Sequence, residues 1–195
     1  MKYASAYRVR ENNNMGYCDR SSYIVVNSVG YYEFDEPCGP THRKNGRYDY
    51  YLSYNCKGSM HIKVDNRDYF IGEGTVFIYK PFEEQYYGQA NQERISNYWV
   101  HFTGYGAAEL LAKARLSEGH VFNIGIHDDI INVFEHLITE MTNKRAAFEL
   151  LSASLLIQLV SLIARKLEKI TITNQNVGAE RIYKTIEYIY IYIYI

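Results

Sequence analysis

Six histidines, three cysteines and a single tryptophan are the side chains here with the widest chemical repertoire. His61, His101, His120, His127 and His136 form no metal-spaced pair. Cys18, Cys38 and Cys56 are odd in number, scattered and without a CxxC pair, so neither a zinc site nor a disulfide framework is suggested. The sequence has no G-x-S-x-G elbow, no P-loop and no glycine-rich dinucleotide fingerprint; its glycines punctuate turns. What remains is aromatic chemistry. Trp and Tyr rings offer an apolar face for stacking on a sugar or another ring, and the Tyr hydroxyl adds an orienting hydrogen bond. These residue types favour binding over catalysis, although a catalytic site assembled from distant residues leaves no motif to find.

The tyrosines also mark how the chain is organised. Of the 21, sixteen lie between Tyr3 and Tyr105 and none between Gly106 and Ile182, so composition changes near residue 105. A length of 195 residues, 47% of them apolar, suits one core with a small appendage. With 21 Lys+Arg against 22 Asp+Glu, the net charge of −1 gives no footprint for duplex DNA or an anionic membrane surface. Residues Met1 to Arg10 lack the apolar run of a secretory signal, and with unpaired cysteines this points to a reducing cytoplasm.

From Tyr23 to Phe102 the chain reads as short β-branched and aromatic runs separated by turn residues. Strands are expected at 23–29, 31–34, 48–56, 59–64, 68–71, 75–79 and 95–102, a spacing that suggests a sandwich or barrel. After Phe102 the period changes from 2 to 3.6. Ile130, Phe134, Leu137 and Met141 form one helical stripe, preceded by Asp128 and Asp129, which suit a helix N-terminus. A second helix, roughly Arg145 to Leu167, carries Leu151, Leu155, Leu159 and Leu162 together with apolar residues around its girth. Its surplus apolar surface makes it a candidate subunit interface. Within it, Ala146 to Ala164 is long enough to span a membrane. Glu149, Gln158 and three serines interrupt the stretch, so packing against protein is expected instead.

Residues 171–180 are polar and read as a linker. Residues 181–189 start a new amphipathic pattern, which passes into strict Tyr/Ile alternation up to Ile195. Such alternation is an aggregation-prone β signature, and we read the tail as a truncation, a frameshift or an artefact.

The motif Tyr98-Trp99-Val100-His101-Phe102-Thr103-Gly104 resembles the last barrel strand, leading into the first helix, of the amino-terminal effector-binding domain of AraC-family transcriptional regulators. The run from Arg47-Tyr48-Asp49-Tyr50-Tyr51-Leu52 through Gly58, then Gly72-Glu73-Gly74 and Pro81, supports the likeness, as does residue span 181–189, which resembles the opening helix of the family's DNA-binding domain. The resemblance covers roughly residues 23–189. It implies a mostly β fold with C-terminal helices: a cupin-like double-stranded β-barrel, or jelly roll, followed by a helical hairpin that pairs subunits. The chain then divides into a ligand-binding barrel (1–105), a helical dimerisation segment (106–170), a linker (171–180) and the start of a DNA-binding domain or an artefactual tail (181–195).

The same resemblance implies a role: a small-molecule effector, a sugar or polyol, controls DNA binding by a missing C-terminal domain in a cytoplasmic bacterial homodimer. Cupin barrels also host metalloenzymes, whose pattern is His-x-His and Glu, then a later His. Here His42 is followed by Lys44, Tyr51 stands at the Glu position, and Gln85 or Tyr86 at the later His position. At most one ligand is left, so no metal or other cofactor is expected. In sugar-sensing relatives the ligand-touching positions correspond to Arg43, Tyr87, Asn97 and Trp99. Each has a rival role: Trp99 as a core aromatic, Arg43 in an ion pair with Glu36 or Asp35. His42 is expected at a turn or rim, and His101 on the face opposite Trp99, in a packing role. The alternative to the regulator reading is a stand-alone cupin acting as an enzyme or binding protein.

Overall fold

Runs of Val, Ile, Tyr and Phe broken by Gly, Asn and Asp form strands because branched and aromatic side chains pack well on a pleated surface, whereas the breakers accept turn geometry. The computed structural model describes residues 2–9, 14–91 and 93–193, with side chains described through residue 171. Its elements are β1 (Lys2–Tyr7), β2 (Val25–Phe34), β3 (Thr41–Arg43), β4 (Tyr50–Lys57), β5 (Met60–Val64), β6 (Arg67–Ile71), β7 (Thr75–Tyr79), β8 (Gln85–Gln89), β9 (Ile95–Thr103), α1 (Ala107–Lys113), β10 (Val121–Asn123), α2 (Asp128–Asn143) and α3 (Phe148–Ile193). The two strands expected at 23–29 and 31–34 are one, since Gly30 continues β2 rather than turning it.

The strands form two antiparallel sheets, β1-β2-β9-β4-β7-β10 and β3-β8-β5-β6, which gives the expected cupin-like double-stranded barrel. Period-2 alternation splits the large sheet between two cores. Leu52, Tyr54, Val76, Ile78, Tyr98, Val100 and Phe102 face the helices. Tyr51, Phe77 and Tyr79 face the smaller sheet, meeting Met60, Ile62, Ile71 and Tyr87. The large sheet is thus a middle layer, with a ligand-sized interior on one side and helices on the other.

The stripe Ile130, Phe134, Leu137 and Met141 is buried as expected on α2. Helix α2 ends at Lys144, whose left-handed φ of 47° terminates the helix while its N–H bonds Glu140 O at 2.9 Å. The span Phe148–Thr171 is long and apolar enough to cross a membrane, with a mean hydropathy of 1.6. Its residues Leu156, Leu159, Val160 and Ile163 are nevertheless fully buried in the core that the helices share with the large sheet.

The backbone of α3 continues through 171–180, the stretch read as a linker, and on to Ile193. No proline interrupts it, and one glycine costs a helix only about 1 kcal/mol. The Ile/Tyr alternation is likewise helical backbone to Ile193, because an existing helix adds one hydrogen bond per residue while a lone strand has no partner edge. The last two residues of that tail, and the side chains of 181–189, lie outside the described residues.

Candidate functional site

Inward-facing residues of β2, β3, β4, β8 and β9, with Tyr7, Asn14 and Tyr17 from the N-terminal segment, enclose a cavity of about 270 Å³ between the two sheets. That leaves room for a ligand of monosaccharide size. Trp99 gives one aromatic wall. β8 of the facing sheet supplies Tyr87, and β4, the neighbour of β9, supplies Tyr51; their rings stack at 5.0 Å and 13°. Arg43 enters from β3, which pairs with β8 so that Thr41 lies opposite Tyr87 and Arg43 opposite Gln85. Its Nη1 donates to Tyr87 Oη at 2.9 Å and to Gln85 Oε1 at 3.2 Å. The Tyr87 hydroxyl, accepting from Arg43, keeps its own proton to offer.

A buried polar cluster supports the far wall. Asp49 is fully buried and accepts from Arg47 Nε at 2.8 Å, Arg47 Nη2 at 3.1 Å and Asn27 Nδ2 at 2.9 Å. Asn27 is the extra residue of a β-bulge between Val26 and Ser28, and the bulge turns its side chain toward Asp49 and the carbonyl of Tyr17. His101 Nδ1 lies 3.2 Å from Asp49 Oδ1, off line for a hydrogen bond. Burial alone would raise the Asp49 carboxyl, but the contacts with His101 and Arg47 outweigh it and hold the group well below the usual carboxylate range. Burial pushes His101 down to about 4 despite the neighbouring carboxylate, so its ring is neutral at pH 7.

The family model of the AraC-like ligand binding domain matches residues 31–160, which hold most of the cavity-lining residues, α2 and the first part of α3. The chain belongs to that family. No curated protein matches the chain. Among solved structures it is similar to a predicted oxalate decarboxylase of Thermotoga maritima at 11% identity, over 40% of this chain and 67% of that one, with a TM-score of 0.34. It is similar to the Cnp3 cupin domain of Schizosaccharomyces pombe at 13% identity, over 45% of this chain and 61% of that one, TM-score 0.34. The third is YhaK of Escherichia coli, at 8% identity over 54% and 46%, TM-score 0.40.

Within this AraC-like ligand binding domain, Arg43, Tyr87 and Trp99 converge on the cavity from three strands. Asn97 does not line it. It faces the same way on β9 but is fully buried, with Oδ1 accepting from Ser53 Oγ at 2.8 Å. Arg43 is paired with neither Glu36 nor Asp35; it is Arg94 that bonds Asp35, at 2.9 Å. His101 departs from the expected packing role. It stands two residues after Trp99, so period 2 sets both on one face, and both line the cavity. His42 is at the rim as expected, exposed and bonded to Glu84 at 2.6 Å. Tyr51, at the metal-ligand Glu position, is instead a stacking wall. Among the described residues no group of three or more His, Cys, Asp or Glu is placed to hold a metal ion.

On the domain's helical side, Leu151 is 47% exposed, with Leu150 beside it at 74%. Leu155 and Leu162 are half-buried. Leu159, expected in the same intersubunit stripe, is fully buried within its own chain, because α3 turns that edge toward the core shared with α2 and the large sheet. Leu151, Leu155 and Leu162 are therefore the members of the stripe that keep some exposed surface.

Proposed function

We propose that this chain is the effector-sensing and pairing part of an AraC-type transcriptional regulator. It takes a sugar or polyol in the barrel and so controls how a downstream helix-turn-helix domain meets DNA. The observation that carries this reading is the cavity itself: a Trp99 stacking wall facing the Arg43–Tyr87 pair, with polar donors around a monosaccharide-sized space. The placement of β9 supports a switch. Trp99 and His101 face the cavity, while Tyr98 on the same strand stacks on Phe134 of α2 at 5.3 Å and donates to Glu135. A ligand that moves Trp99 is felt by α2 through one strand, and it shifts the population toward whichever arrangement binds it more tightly. Pairing of two copies through the exposed Leu150–Leu151 end of α3 completes the proposal.

A thermal-shift screen of pentoses, hexoses, disaccharides and polyols tests it. Binding to the folded state raises the melting temperature, so monosaccharides or polyols should stabilise the native chain and not its Trp99→Ala variant. No shift with any member of the panel would contradict the reading.

A further inference from the structure

Among the described residues Arg43 is a cation without a counter-ion: no described carboxylate lines the cavity, and the other cation there, Arg47, is already held by Asp49. The partners of Arg43 are the neutral groups Tyr87 Oη and Gln85 Oε1, and among the described residues it makes no ion pair. Gln85 is fully buried, and with Oε1 turned to Arg43 its Nε2 donor has no partner. Proteins rarely leave a partly buried guanidinium uncompensated, and its planar fork matches a carboxylate with two parallel hydrogen bonds. A neutral sugar supplies oxygen acceptors but no charge.

Resting on the sensor reading above, we infer that the effector is a polyhydroxy carboxylate, a sugar acid of monosaccharide size, with its carboxylate on Arg43 and Tyr87 and its carbon skeleton against Trp99. Arg43 then sets specificity by charge, and the Tyr51–Tyr87 stack fixes the hydroxyl that shares the anion. Charge-assisted bonds are roughly twice as strong as neutral ones, so the acid should bind at least tenfold tighter than its neutral parent.

Calorimetric titration of the full chain with matched pairs tests this: galacturonate against galactose, gluconate against glucose, and benzoate as an acid without hydroxyls. The expected result is at least a tenfold preference for a sugar acid over its parent. That preference should disappear in Arg43→Gln, even if both affinities fall, and should be partly retained in Arg43→Lys. Equal or tighter binding of the neutral parent would overturn the acid assignment while leaving the sensor reading intact. Survival of the preference in Arg43→Gln would overturn the role of Arg43. Binding of benzoate with no sugar acid bound would overturn the polyhydroxy assignment, and silence from every compound would overturn this inference together with the reading beneath it.

Discussion

Asp49 and His101 place a pH dependence inside the cavity wall. His101 has a folded pKa of about 4 against an ordinary 6.5, so as pH falls the unfolded chain takes up the proton first and stability drops across that window. Asp49 acts lower still: its depressed carboxyl stabilises the fold above the ordinary value of 3.8, and that contribution is lost as pH falls through its folded pKa. Melting temperature should therefore be level above about pH 7, decline between 6.5 and 4, and His101→Gln should flatten that decline. An unchanged slope in the variant would assign the titration elsewhere. Part of the wall was legible at this scale: Arg43, Tyr87 and Trp99 were named through the resemblance to sugar-sensing relatives, and period 2 applied correctly to Trp99 and His101 adds the histidine. Asn27 was not legible, because a one-residue bulge has no signature in composition.

Strands and helices carry the next tests. Gly30 lies where β2 passes the Trp99 ring: a Cβ there would come within 2.6 Å of Trp99 and of the Ala4 carbonyl. Gly30→Val should cost about 1–3 kcal/mol by overpacking. Trp99 would also be displaced, so ligand binding should weaken by more than the stability loss explains; intact affinity would show that Trp99 is not the wall. On α3, Leu151→Glu should give a folded monomer in sedimentation, whereas Leu159→Ala should cost about 2–5 kcal/mol as a buried truncation. Dimers persisting in Leu151→Glu would place the interface elsewhere. The long strands and both main helices were legible because their periods are sustained. Strands β1, β3, β8 and β10 were not: β3 and β10 have three residues each, too few to establish alternation, and β8, which positions Tyr87, follows Pro81 in a polar stretch without a β-branched residue. The polar stretch 171–180 shows the opposite error: polarity alone does not stop a helix that lacks proline.

At the scale of the whole molecule, the small sheet closes a cavity, the middle sheet forms its other wall, and the helices pack behind that sheet. The proposed sensor sets its ligand against Trp99. The chain has one tryptophan, and that residue lines the cavity, so intrinsic fluorescence reports occupancy without a label. Titrating the native chain with the sugar acid or sugar that stabilises it best should change the Trp99 emission saturably, with the midpoint found by calorimetry. Stabilisation by ligand with no change in Trp99 emission would contradict the account.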